Sequence, residues 1–242
     1  MKNIKKLPFI LSILSFLTIF VPANAEIKVV TSIKPIHSLA SYLMDGVAKP
    51  DLIVDGYASP HGFALKPTHA KMLQEADLVF WVGEDLENFL EKPLKSIAKK
   101  AEKIELMEIK GINTLTFRER TIFDEHGHKE DEHGHKKEDE HGHKEDEHGH
   151  DEHAHGEHDP HIWLDPMNAK VILSEMAEHL IENDQENASK YKANLKKANK
   201  DIDKLIKKVK SELNKDFKSI VFHDAYQYFE KRFNVNVLGA FT

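Results

Sequence analysis

Residues 78–83 read Leu78-Val79-Phe80-Trp81-Val82-Gly83, and this apolar run is the strongest indication of the fold class. Five consecutive apolar side chains leave no polar face, which is typical of a strand that is buried on both faces. Strands of this kind occur in parallel sheets, where helices connect one strand to the next. Residues 67–76, just before the run, begin with proline and are expected to form such a helix. The stretch therefore predicts an α/β fold.

The same alternation of strands and helices extends on both sides of this stretch. We predict strands at 27–31, 52–54 and 104–106, and helices at 36–44 and 94–103. Binding sites in parallel sheets lie in the loops at the carboxyl ends of the strands. Functional side chains are therefore expected in the loops that follow these strands.

A long lysine-rich helix dominates the second half of the chain. Asp165-Pro166 predicts the start of one helix, and residues 188–213 are expected to form a second with a single apolar stripe. This second helix would extend about 39 Å, more than one lobe of this size can hold. It is either a coiled coil or a brace between two lobes, and its shortness favours the brace. Strands are predicted at 219–222 and 235–238.

The first 25 residues have the pattern of a signal peptide. Three lysines precede an apolar run at 9–21, which is too short to span a bilayer, and Ala23-Asn24-Ala25 matches a cleavage site. We therefore expect cleavage after Ala25, export to the periplasm and no direct membrane insertion. The chain has no cysteine, which excludes disulfides, thiolate metal sites and thiol nucleophiles.

Eleven of the seventeen histidines lie in one acidic, repetitive segment, residues 124–158. With Asp159, this segment has fifteen acidic residues and four lysines, a formal charge of −11, and nothing more apolar than Ala154. Such a sequence cannot bury a core or form a coiled coil, so we predict a disordered insertion. Its candidate low-affinity metal ligands are His126, His128, His133, His135, His141, His143, His148, His150, His153, His155 and His158. The rest of the mature chain is nearly neutral, which excludes a global basic field for nucleic acid.

Three further histidines lie in loops where a metal ion could be held. His61 follows the strand predicted at 52–54, His161 precedes the helix that begins at Pro166, and His223 ends the strand predicted at 219–222. Three neutral imidazoles with a carboxylate or a water form a normal zinc coordination set. Because sequence separation does not give geometry, these are either one shared site or three unrelated loop histidines.

The neighbours of these histidines suggest how the site would be supported. Each ligand histidine needs an acceptor for its second ring nitrogen, and the candidates are Asp159, Asp165 and Asp224. The aromatic side chains expected to wall the site are Tyr57, Phe63 and Trp163.

Simpler roles are assigned to the remaining histidines. We expect His69 at the surface or beside the ligands, His37 in a structural position at a helix start, and His179 in solvent. His158 could reach the metal through its spacing of three from His161, but we assign it to the end of the acidic segment.

Four ordered motifs resemble the periplasmic zinc-binding proteins of ABC transporters, the ZnuA type, over essentially the whole mature chain. The motifs are Pro60-His61-Gly62-Phe63-Ala64-Leu65-Lys66-Pro67, Ala76-Asp77-Leu78-Val79-Phe80-Trp81-Val82-Gly83, Asp159-Pro160-His161-Ile162-Trp163-Leu164-Asp165-Pro166 and Phe222-His223-Asp224-Ala225-Tyr226-Gln227-Tyr228-Phe229. The resemblance implies His61, His161 and His223 as the metal ligands. Manganese members of the family usually have glutamate at the third position, so His223 favours zinc, as does an all-imidazole set.

The resemblance also implies an architecture of two lobes of mostly parallel sheet, joined by one long rigid helix, with the metal in the cleft. The expected divisions are a signal peptide at 1–25, an N-terminal lobe at 26–123 and 159–185, the insertion at 124–158, the linking helix at 186–215 and a C-terminal lobe from 216. Family members continue beyond Thr242, so we expect the second lobe to be incomplete in this chain and the fourth ligand to be absent or a water.

The function implied by the resemblance is capture of Zn²⁺ by a monomeric periplasmic protein and its delivery to an inner-membrane ABC permease. The alternative is a zinc buffer that acts mainly through its histidine-rich segment. An enzyme is not expected, since a zinc hydrolase needs a general base beside the metal and the sequence has no His-Glu-x-x-His motif.

Overall fold

The computed structural model describes residues 26–118, 157–214, 216 and 218–241. The predicted signal peptide lies outside these residues, and so does most of the predicted insertion. The candidate low-affinity ligands outside them are His126, His128, His133, His135, His141, His143, His148, His150, His153 and His155.

The described residues form the predicted α/β fold. In chain order its strands and α-helices are β1 (Val29–Thr31), α1 (Lys34–Leu43), β2 (Asp51–Leu52), α2 (Pro67–Glu75), β3 (Leu78–Trp81), α3 (Glu84–Ser96), β4 (Glu102–Glu105), α4 (Pro166–Asn183), α5 (Ala188–Glu212), β5 (Lys218–Val221), α6 (Gln227–Phe233) and β6 (Asn236–Ala240). Short 3-10 turns lie at Pro60–Gly62, Ile162–Leu164 and Gln185–Asn187. None of the helices in the described part of the chain is long and apolar enough to cross a membrane.

The first sheet has four parallel strands in the order β2-β1-β3-β4. All four residues of β3 are buried, as its unbroken apolar sequence predicts. The main core is built around this sheet and includes the buried face of α4. The sheet therefore presents the carboxyl ends of its parallel strands along one edge, where the loop after β2 begins.

Helix α3 differs from the prediction. A helix was expected at 94–103, but α3 begins directly after Gly83 and ends at Ser96, and β4 already begins at Glu102. Pro93, a residue type that normally disrupts a helix interior, lies inside α3, whereas Leu86, Leu90 and Leu94 repeat every four residues and form its buried face. Acidic side chains in the first turn also interact favourably with the helix dipole.

The long helix α5 has 25 residues and agrees with the predicted span to within one residue. Its first half is fixed to α1, because the Asn194 side chain donates hydrogen bonds to the carbonyls of Leu43 at 2.7 Å and Asp45 at 2.9 Å. Its second half is more open, with Leu205 53% exposed. Beyond it, β5 and β6 form a separate two-stranded parallel sheet.

A buried carboxyl group lies at the turn between β3 and α3. Glu87 is fully buried, and its Oε2 accepts hydrogen bonds from the amides of Val82 at 2.9 Å and Gly83 at 3.1 Å. Its Oε1 and the hydroxyl of Ser32 make no well-formed hydrogen bond within the described residues. Burial raises the pKa of Glu87 to about 7, against the opposing effect of the hydrogen bonds from the two amides.

Candidate metal centre

The structure brings His61, His161 and His223 together. Each offers one ring nitrogen, and the three nitrogens lie within 4.8 Å of one another. The ring centroids of His61 and His161 are 6.1 Å apart, and His223 lies 5.4 Å from His61 and 5.3 Å from His161. Three imidazoles that converge in this way can act as a joint ligand set.

Local backbone structure positions each of the three side chains. His61 lies in the 3-10 turn Pro60–Gly62, whose preceding Ser59 hydroxyl accepts the His61 amide at 3.3 Å. His161 stands at the start of the turn Ile162–Leu164, immediately before α4. His223 follows the end of β5 by two residues. His61 and His223 thus come after the carboxyl ends of parallel strands, as expected for binding sites in such sheets.

His161 is held in one orientation by Asp159, and both side chains are buried. The Asp159 Oδ1 atom lies 2.7 Å from His161 Nδ1 and also accepts the His161 amide at 2.9 Å. A carboxylate partner makes Nδ1 the protonated nitrogen and leaves Nε2 as the basic one. The structure therefore confirms Asp159 as an acceptor for an imidazole of this cluster.

Asp165 and Asp224, the other two predicted acceptors, pair with arginines. The two oxygens of Asp165 accept hydrogen bonds from Arg232 at 2.7 and 2.6 Å, and Oδ1 also caps α4 through the Met167 amide. The two oxygens of Asp224 accept hydrogen bonds from Arg118 at 3.2 and 3.1 Å. Two-pronged arginine–carboxylate pairs of this kind fix geometry as well as charge.

Helix α6, which sequence reasoning missed, ties the His223 loop to the His161 loop. The buried Tyr228 hydroxyl donates to the Asp159 carbonyl at 2.7 Å and accepts the Leu115 amide at 3.0 Å. Burial raises the pKa of Tyr228 to about 12, so this hydroxyl stays protonated and able to donate. One turn further on, Arg232 reaches Asp165. The spacing of four between Tyr228 and Arg232 is the signal that could have revealed this docking face.

The three histidines open onto a cavity of about 330 Å³. Trp163 lines it, with its ring 5.3 Å from that of His161, as predicted. The predictions for the other two aromatic residues are wrong, because Tyr57 is fully exposed and Phe63 packs against His69 and Phe89. The lining residues are Ile33, Lys34, Pro35, Val54, Gly56, Ala58, Ser59, Pro60, His61, His161, Trp163, His223 and Ala225.

Two of the other histidines have structural roles at helix starts. His37 Nε2 lies 3.0 Å from the Pro50 carbonyl, in agreement with its predicted role. His69 is buried rather than at the surface, and its Nδ1 accepts the Lys66 amide at 3.1 Å. Burial lowers the pKa of His69, and the nearby Lys66 charge lowers it further, so this ring is a neutral acceptor.

The last two histidines lie away from the cluster. His179 is not solvated as predicted, since its Nδ1 lies 2.9 Å from a Glu102 oxygen and its Nε2 3.4 Å from one of Glu175. His158 forms an isolated antiparallel bridge with Thr116 and is not among the clustered ligands. This agrees with its assignment to the end of the acidic segment.

Comparison with known proteins decides the family. The model of the family described as "Zinc-uptake complex component A periplasmic", ZnuA, matches residues 29–242. The chain belongs to this family. The high-affinity zinc uptake system protein ZnuA of Brucella abortus (strain 2308) is 46% identical over 223 residues, which cover 88% of this chain and 67% of the relative. That of Yersinia pestis is 35% identical over 225 residues, covering 90% of this chain and 66% of the relative.

Solved structures of the ZnuA family share the fold. A crystal structure of ZnuA matches with a TM-score of 0.65 at 24% identity, covering 86% of this chain and 69% of that one. A zinc-bound ZnuA mutant that lacks residues 138–173 of its own numbering also matches with a TM-score of 0.65, at 22% identity, covering 88% of this chain and 72% of that one. The chain thus spans about two thirds of the length of these ZnuA relatives.

Proposed function

We propose that this protein captures Zn²⁺ in the periplasm, after signal-peptide cleavage at Ala25, and delivers it to the permease of an ABC importer. The observation that carries this proposal is the convergence of His61, His161 and His223, whose ligand nitrogens lie within 4.8 Å of one another. Membership of the ZnuA family and relatives named for high-affinity zinc uptake support zinc as the cargo.

The chemistry of the cluster suits this cargo. Zinc accepts neutral imidazoles at about 2.0–2.1 Å, and a tetrahedral ion holds such nitrogens ~3.4 Å apart. Small rotations of the three rings would therefore close the triad on one ion. Asp159, by accepting from Nδ1, makes His161 a more basic ligand. The fourth position would be filled by a water or a carboxylate, and the nitrogen-rich set favours zinc over the oxygen-preferring manganese.

The surroundings of the cluster support binding rather than catalysis. A zinc hydrolase needs a carboxylate that is free to accept a proton from metal-bound water. Among the described residues, the carboxylates nearest the ligands in the chain, Asp159, Asp165 and Asp224, are each held by a histidine or an arginine. We therefore infer that the protein is a carrier and not an enzyme.

The histidine-rich segment is assigned an auxiliary role, as a set of weak zinc sites that raise the local metal concentration. We expect deletion of residues 124–156 to remove several weakly bound zinc ions at pH 7.5 and to leave one tight ion. Imidazoles with ordinary pKa values near ~6.5 compete with protons, so the weak binding should be mostly lost at pH 5.5. Titration calorimetry at both pH values measures this. Loss of the tight ion on deletion would favour the buffer alternative, and unchanged stoichiometry at pH 7.5 would show that the segment does not bind zinc.

Delivery to a permease is tested in cells. A strain that lacks its own periplasmic zinc-binding protein should regain growth under zinc chelation when it expresses the full-length protein together with the cognate permease. The same strain without the permease should not regain growth, because an exported carrier has no route of its own across the inner membrane. Growth in both strains would contradict delivery through an ABC importer. A His161→Ala variant is the matched control, since it should fail in either strain.

A further inference from the structure

We propose that Arg118 is a positioning residue of the zinc site, which holds the His223 loop beside His161 and thereby slows the release of the bound ion. The inference rests on the proposed function of the three histidines as zinc ligands. Arg118 itself touches none of the metal-ligating atoms in the proposed site. Its effect would pass through Asp224, the residue that follows His223 in the chain.

The contacts of Arg118 form a partly buried charge network. Its Nε and Nη2 donate to the two oxygens of Asp224 at 3.2 and 3.1 Å, and Nη2 also contacts Glu230 on α6. The Arg118 side chain is 25% exposed, and those of Asp224 and Glu230 are 8% and 9% exposed. Removing the guanidinium would leave two poorly solvated carboxylates without this cation, and poorly solvated charges repel more strongly than charges in water.

The backbone next to Arg118 is hydrogen-bonded to the segment that leads to His161. The Phe117 amide donates to the Glu157 carbonyl at 3.0 Å, and the Asp159 amide donates to the Leu115 carbonyl at 2.8 Å. Residues 115–118 therefore run alongside 157–159, and Asp159 orients the His161 ring. The arginine thus closes a chain of contacts that begins at His161 and ends at the residue beside His223.

This geometry predicts an effect on dissociation more than on association. An ion must leave its ligands one after another, and a loop that stays in place favours rebinding of a detached imidazole. Among closely related complexes, differences in affinity lie mostly in the dissociation rate. We expect Arg118→Gln to raise the rate constant of zinc release by about 10-fold or more and to change the association rate little. Arg118→Lys keeps the positive charge but cannot donate two parallel hydrogen bonds to Asp224. Its zinc-release rate should therefore lie between those of the parent and Arg118→Gln.

The test is stopped-flow release of zinc from the full chain into excess chelator. Release from the three-histidine site is identified as the slow phase that is lost in His161→Ala. This distinguishes it from release by the histidine-rich segment. Lys170→Gln is the matched control, because it removes an ion pair with Asp203 at 2.5 Å between α4 and α5, away from the site. Asp224→Asn should speed release as well, and combining it with Arg118→Gln should add less than about 2-fold, since both act on one contact.

The outcomes test the positioning role of Arg118 and the proposed zinc site separately. A slow phase that is faster in Arg118→Gln and unchanged in Lys170→Gln, with both thermal unfolding midpoints close to that of the parent, supports a positioning role. A parent-like release rate in Arg118→Gln overturns the inference and leaves the proposed function intact. Retention of the slow phase in His161→Ala overturns both. If Arg118→Gln does not fold, Arg118→Lys decides in the same way.

Discussion

Replacing His161 with alanine is expected to raise the dissociation constant for zinc by at least about 100-fold. Loss of a group that only supports a ligand commonly costs 10- to 100-fold, and loss of a ligand should cost as much or more. His161 should show the largest effect of the three, because its buried ring is already oriented by Asp159 and loses no orientational freedom on binding. His61→Ala and His223→Ala should follow with smaller effects, since these two side chains are exposed to solvent whereas His161 is buried.

Competition against a chelator of known affinity measures these changes in the chain without residues 124–156, where weak sites do not interfere. His179→Gln is the control, because that histidine contacts Glu102 and Glu175 and lies outside the cluster. Its zinc affinity should equal that of the parent. The ligand assignment fails if all three alanine variants keep the affinity of the parent protein.

The second large effect concerns stability, and it arises from Glu87. In the folded chain burial raises the pKa of this carboxyl to about 7, from 4.5 in its ordinary state. Between these two pH values the folded state binds more protons than the unfolded state, so the Glu87 contribution to stability falls as the pH rises. The free-energy cost of burying the charged Glu87 carboxylate is absent below the unfolded pKa. It is fully present only well above pH ~7, where it amounts to ~3 kcal/mol at most. Glu87→Gln, a neutral group of the same shape, should therefore stabilise the fold by up to ~3 kcal/mol at pH 8 and hardly at all at pH 4.5.

Urea unfolding of the metal-free protein at several pH values measures this difference directly. Other groups that titrate in the range, including the histidines, are the same in both proteins and largely cancel. Glu91→Gln is the matched control on the same helix, because that carboxylate is exposed and pairs with Lys95. It should show no gain that grows with pH. A Glu87→Gln variant that is less stable than the parent at pH 8 would mean that the charged carboxylate, with its two amide hydrogen bonds, stabilises the native state.

The parts of the fold that the sequence predicts are those with a strong local pattern. The apolar run before Gly83 predicts β3, and the repeating stripe of α5 predicts its span to within one residue. Helix α3 was misplaced because its leucine repeat extends across Pro93, a residue type that usually marks the start or the end of a helix. Helix α6 was missed because its seven residues make about two turns, so that one pair of side chains four residues apart is nearly all the periodic signal it gives.

The candidate site shows the same division between local and distant contacts. Asp159 was predicted as a partner of His161 because it lies only two residues away. Arg232 and Arg118 reach Asp165 and Asp224 across 67 and 106 residues, and no local pattern reports contacts at such separations. The domain boundaries proposed from the resemblance remain predictions.

Because α5 is long, a small bend in it would be enough to disrupt the proposed zinc site. Its 25 residues extend about 37 Å, and its first half is anchored on α1. Long helices curve gently rather than break, and a change in curvature of only about 5° over this length displaces the far end by about 1.6 Å. Zinc–nitrogen bonds tolerate deviations of only about 0.2 Å. As the link between the two proposed lobes, α5 would therefore shift one set of ligands against the other by several times the tolerance of the bonds to the ion.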